Sequence, residues 1–126
     1  MDNETLVAGC LDHALKVVDT VKGNVVKQSI LTVHKVATCM DCAQSNLILT
    51  GCEDAVIRLW DTRQGDRAAR SVTGTYSAHS QYLTSVRFNS QVENIFLSGS
   101  LDGTVKLWDL RNDEMPLANL KTKNTE

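Results

Sequence analysis

The chain has 126 residues, 42% of them hydrophobic and 22% charged, with a formal net charge of −2. It is too apolar for a disordered segment and lacks the basic excess that a whole-chain electrostatic grip on nucleic acid needs. No apolar run approaches the roughly 18 residues of a membrane span, and the acidic opening Met1-Asp2-Asn3-Glu4 does not read as a secretory leader, so a soluble intracellular protein is expected.

Taken in chain order, short runs rich in Val, Ile, Leu and Thr alternate with turn residues, the pattern of consecutive β-strands. The runs predict strands at 5–10, 13–18 and 25–31, then at 36–42, 46–51, 55–60 and 68–73, then at 83–88, 94–99, 104–109 and 116–121. Asp102-Gly103 between two apolar runs is a strong hairpin signal, and Gly23-Asn24 marks another turn. Pro116 is placed at the start of an outer strand, where a missing N–H is tolerated. The longest connection is 61–82. In the third unit Val105 and Leu107 are expected on one face, and Thr104, Lys106 and Trp108 on the other.

One phrase recurs three times. Residues 6–19 read LVAGCLDHALKVVD, residues 48–63 ILTGCEDAVIRLWDTR and residues 95–111 IFLSGSLDGTVKLWDLR. The aspartate of each turn falls at Asp12, Asp54 and Asp102, steps of 42 and 48 residues. A period near this length, with four short strands and a closing Trp-Asp, is the signature of a repeat propeller. The chain is identified on these residues as a member of the WD-repeat β-propeller family. The fold class expected is all-β: about three blades of four antiparallel strands at 5–31 (partial), 34–73 and 79–121, an incomplete ring within one longer propeller, since propellers take about 4 to 8 blades.

That resemblance implies two structural tetrads, His34, Thr50, Asp54 and Trp60, and His79, Ser98, Asp102 and Trp108. In the family the indole N–H meets the hydroxyl, the hydroxyl the imidazole, and the imidazole N–H the carboxylate. The donor and acceptor inventory allows this chain. Ala8 and Val18 stand in the corresponding places of the first unit, so no tetrad is expected there. A Ser-His-Asp hydrolase is disfavoured, because the hydroxyl lies in mid-strand and the set occurs twice. Cys39 and Cys42 have zinc-type spacing. They have no second cysteine pair and lie three apart in a strand, so reduced structural cysteines are expected, with Cys42 in a core position and Cys10 and Cys52 in a small-residue slot. Catalytic residues, cofactors, metals, small-molecule substrates and membrane contact are not expected.

Further stretches, DHALKVVD, KVATCMD, IRLWDTR, HSQYLTSVRF and LSGSLDGTVKLWDLR, resemble the WD-repeat subunit family of the pescadillo-containing complex. That resemblance implies a non-catalytic nucleolar scaffold for large ribosomal subunit assembly and pre-rRNA processing, with other assembly factors, including a second propeller, as partners. Trp60-Asp61-Thr62-Arg63 and Trp108-Asp109-Leu110-Arg111 also resemble the WD-x-R box of cullin-type ubiquitin ligase substrate receptors. That alternative would use Arg63 and Arg111 against a carboxylate of the adaptor. By analogy with WD repeats, Leu11, Glu53 and Leu101, each preceding a turn aspartate, and Lys35, Gln81 and Tyr82, each following a histidine, are candidates to line one opening and bind a partner.

Overall fold

The computed structural model describes residues 5–9, 14–19, 24–30, 36–43, 47–61, 72–77 and 79–122, the first three stretches as strand pairing alone. Every regular element among them is a β-strand: β1 (Thr5–Gly9), β2 (Ala14–Asp19), β3 (Asn24–Ile30), β4 (Ala37–Cys42), β5 (Leu47–Cys52), β6 (Ile57–Asp61), β7 (Val72–Tyr76), β8 (Leu83–Phe88), β9 (Ile95–Ser100), β10 (Thr104–Asp109) and β11 (Ala118–Lys121). They pair only with chain neighbours, giving three antiparallel sheets, β1-β2-β3, β4-β5-β6-β7 and β8-β9-β10-β11. The expected all-β blade architecture is therefore present.

The second and third sheets share one register. Ile48 faces Trp60 and Thr50 faces Arg58; in the same places Phe96 faces Trp108 and Ser98 faces Lys106. Their first strands each hold a bulge, at Thr38 and at Thr84. Their central turns each hold a residue with positive φ, Ala55 (68°) and Gly103 (80°). Glycine adopts that conformation without penalty; alanine does not.

Every strand but β7 falls within two residues of the sequence expectation at each end. β7 is Val72–Tyr76 rather than 68–73, because Tyr76 is the residue whose ring is buried and anchors the strand. β11 begins at Ala118, not at Pro116. Proline has no N–H to give, and the first donor to reach β10 is Leu117 N, 2.7 Å from Leu107 O.

The core lies between sheets rather than within one. Leu49, Ala55, Ile57, Leu59 and Tyr76 of the second sheet close on Leu83, Val86, Phe96 and Trp108 of the third. Tyr76 meets Phe96 edge-on at 5.1 Å and Trp108 at 5.5 Å, while Phe96 and Trp108 stack 5.9 Å apart. Such ring pairs add about 0.5–1.5 kcal/mol each beyond the area they bury.

Hydrogen bonds fix the same contact. Phe88 N donates to Asp41 Oδ2 at 2.8 Å, and Tyr76 OH to Leu110 O at 2.8 Å. Burial, with Asp113 and Asp109 nearby, pushes the Tyr76 phenol up to about 12, so it keeps the proton it donates. Thr38 Oγ1 lies 2.5 Å from Leu83 O and 3.1 Å from Gly51 O; its single proton goes to the nearer carbonyl, across the sheets.

Gly51 is what lets β8 come this close. A Cβ there would sit 2.6 Å from Cys39 Sγ and 2.6 Å from Leu83 Cβ, whereas a Cβ on its counterpart Gly99 would meet only Thr84 Oγ1, at 3.6 Å. Gly51→Ala is expected to destabilise the chain by about 1–3 kcal/mol through overpacking, and Gly99→Ala to change stability by less than about 0.5 kcal/mol. Urea unfolding of both variants checks this; equal effects would place the tight contact elsewhere.

Candidate functional site

In the third sheet the hairpin β9–β10 and the residues leading into β8 bring His79, Ser98, Asp102 and Trp108 together. Trp108 Nε1 donates to Ser98 Oγ at 2.8 Å. Ser98 Oγ lies 2.7 Å from His79 Nε2, and His79 Nδ1 lies 3.0 Å from Asp102 Oδ2. One set of protons satisfies all four groups: the hydroxyl donates to Nε2, and the ring carries its proton on Nδ1 toward the carboxylate. All of these side chains are buried or nearly so.

Asp102 is held from several sides. Ser80 N donates at 3.0 Å, Thr104 N at 2.9 Å and Thr104 Oγ1 at 2.6 Å. Burial opposes its ionisation, but the donors from Thr104, Ser80 and His79 outweigh it and keep the carboxyl well below the ordinary carboxylate range. Ser98 is no accessible nucleophile, since it is buried between an indole and an imidazole.

The second sheet repeats part of this. Trp60 Nε1 donates to Thr50 Oγ1 at 2.9 Å, and Val56 N to Asp54 Oδ1 at 3.2 Å. His34 lies outside the described residues. Here Arg58 grips Asp54 with both terminal nitrogens, at 2.8 and 3.3 Å, a two-pronged pair. The spacing Asp54–Arg58 was visible in the sequence, but a strand offers no rule that joins residues four apart.

Of the six residues proposed for an opening, four line one cleft: Glu53, Gln81, Tyr82 and Leu101, joined by Asp54, Ala55 and Ser80. Leu11 and Lys35 lie outside the described residues. The cleft holds about 350 Å³ and runs between the central turns of two sheets. Leu101 N donates to Tyr82 O at 3.0 Å, and Ser100 Oγ lies 2.9 Å from Gln81 O and 2.8 Å from Tyr82 O, so its aromatic wall rests on a fixed backbone. Tyr82 is 52% exposed and Leu101 60%. Ala55 and Ser80 were not anticipated, because neither residue type signals binding.

Arg111 is not free to reach outward unaided. Its Nε and Nη2 donate to Asp109 at 3.0 and 2.7 Å, and this pairing lowers the Asp109 carboxyl to about 2. Arg63 lies outside the described residues. Cys42, expected in a core position, is exposed, because it ends β4 at the sheet margin; Cys52 is buried and Cys39 half-buried. Burial pushes the Cys39 and Cys52 thiols up, and partial desolvation with the Asp41 carboxylate beside it raises Cys42, leaving all three protonated and poor nucleophiles. Cys10 lies outside the described residues. Among the described residues no cluster of three or more His, Cys, Asp or Glu could hold a metal.

Asp102→Ala leaves the buried His79 N–H without its acceptor and is expected to cost about 1–3 kcal/mol at neutral pH. Because the native carboxyl ionises well below its unfolded value near 4, the stabilisation is complete above that pH and shrinks progressively as the medium is acidified from there toward the much lower native value. Unfolding free energies of wild type and Asp102→Ala should therefore converge below about pH 4; a gap that persists in acid would show that the carboxylate charge is not the cause.

Comparison with known proteins agrees with this geometry. The chain is 36% identical over 90 residues to the ribosome biogenesis protein WDR12 homolog of Drosophila mojavensis, a match covering 71% of this chain and 20% of that protein. It is 35% identical over 93 residues to mitochondrial division protein 1 of Kluyveromyces lactis, covering 65% of this chain and 13% of that one. The chain thus spans a fifth or less of these relatives. The crystal structure of Chaetomium thermophilum Raptor superposes with a TM-score of 0.85 at 19% identity, over 96% of this chain and 11% of Raptor, a likeness of fold. The resemblance to a ribosome-assembly WD-repeat protein read from the sequence is thus met by a curated relative of that kind. The model of the nucleolar protein 10-like N-terminal domain matches residues 2–126, and the chain belongs to that family of WD-repeat propellers.

Proposed function

We propose that this chain is a non-catalytic scaffold in assembly of the large ribosomal subunit and processing of its precursor rRNA, acting in the nucleolus through protein partners that include a second propeller. The observation that carries the reading is the pairing of a nucleolar protein 10-like propeller family with relatives named for ribosome biogenesis. The chemistry of the chain is in keeping with it. The polar groups of the tetrad are consumed in holding the sheet, and the cysteines are held as thiols. What remains on offer is shape and loop chemistry, and loops set on a rigid scaffold are where such proteins bind.

The cleft at Glu53, Gln81, Tyr82 and Leu101 is the surface assigned to a partner. An exposed aromatic and an exposed leucine side by side have the composition of an interface centre. The tetrad residues His79, Ser98, Asp102 and Trp108 act behind it as positioning residues, since Asp102 fixes Ser80 and His79 at the root of the loop that carries Gln81 and Tyr82.

Affinity capture with the tagged protein from nucleolar extract, read by mass spectrometry, is expected to enrich large-subunit assembly factors. The triple substitution Glu53→Ala, Tyr82→Ala, Leu101→Ala is expected to lower that recovery at least tenfold. Enrichment of mitochondrial or ubiquitin-ligase components instead would overturn the ribosomal role; undiminished capture by the triple variant would remove the cleft from it.

A further inference from the structure

The cleft has two unlike ends, and the repeat itself produces them. Glu53 and Leu101 occupy the same place in successive units, the residue before the turn aspartate. One wall therefore presents a carboxylate where the opposite wall presents an isobutyl group, with the Tyr82 ring beside the latter.

The carboxylates differ in what they have left to give. Asp102 already accepts from Ser80 N, Thr104 N, Thr104 Oγ1 and His79 Nδ1. Asp54 already holds the Arg58 guanidinium and Val56 N. Among the described residues the carboxylate of Glu53 has no hydrogen-bond or ion-pair partner, although its residue is half-buried. The negative end of the cleft is thus a carboxylate that no described residue engages, and the other end is apolar and aromatic. A volume of about 350 Å³ sits at the low end of the ~300–1,000 Å³ of ligand clefts, room for a side chain or two and not for a folded element.

From this complementarity we infer that the cleft takes an exposed peptide segment of a partner protein in which an arginine lies within two or three residues of a leucine-like side chain. The guanidinium pairs with Glu53 at one end, and the aliphatic side chain covers Leu101 and the Tyr82 ring at the other. Arginine fits better than lysine because its planar fork offers a carboxylate two parallel N–H donors. The inference rests on the cleft being a partner site, and it adds the chemistry of the partner.

The test is fluorescence anisotropy with the purified protein and labelled synthetic hexapeptides centred on Arg-Leu, Glu-Leu or Arg-Ser. The Arg-Leu peptide is expected to bind at least tenfold tighter than either other peptide, and more weakly as salt rises. Glu53→Gln should erase the preference for Arg-Leu over Glu-Leu, and Leu101→Ser the preference for Arg-Leu over Arg-Ser. Both positions lie on turn surfaces, and thermal melts matching wild type establish that the variants fold. Equal binding of the three peptides, or a preference that survives Glu53→Gln, overturns the inference. A protein that captures assembly factors yet shows no peptide preference refutes the inference alone; one that prefers Arg-Leu yet captures none refutes the ribosomal role alone.

Discussion

The contact of β8 with β4 and β5 is the constraint on which the structure depends. A four-stranded sheet of this size has two faces to cover and too few residues to cover either alone. The second sheet solves this by laying Leu49, Ile57 and Leu59 against its neighbour. The third sheet offers the same positions, Leu97, Val105 and Leu107, on a face that no described strand covers. Leu49 is fully buried while Leu97 is 44% exposed. Same sequence slot, different burial: in a repeat, stability belongs to the junctions as much as to the units.

The junction is selective as well as apolar. Thr38 and Asp41 reach across to the backbone of β8. Their register counterparts in the third sheet are Thr84 and Arg87. The hydroxyl is kept, but an acceptor has become a cation, so the two walls do not ask for the same neighbour. Small changes at fixed repeat positions thus let one architecture distinguish its own surfaces, as Glu53 and Leu101 do on the loops.

The tetrad is a structural device whose consequence reaches the surface. It ties β9, β10 and the loop before β8 into one hydrogen-bonded chain, and a satisfied buried network of that kind specifies a single arrangement. The loop carrying Gln81 and Tyr82 is thereby presented in one conformation. A binding cleft between two such loops begins with little ordering left to do when a partner arrives, which favours association.

The sequence by itself determined the β class, the three-unit period and the inner strands, because each depends on local pattern, alternation and turn residues, while its resemblance to WD repeats supplied the membership of the tetrad. It also marked Glu53, Gln81, Tyr82 and Leu101 through their places in the repeat. Tertiary structure alone decided what crosses between units. Tyr76 as an anchor and the tight fit at Gly51 depend on how far one sheet stands from the next. That distance is set by long-range packing, which no window of neighbouring residues encodes.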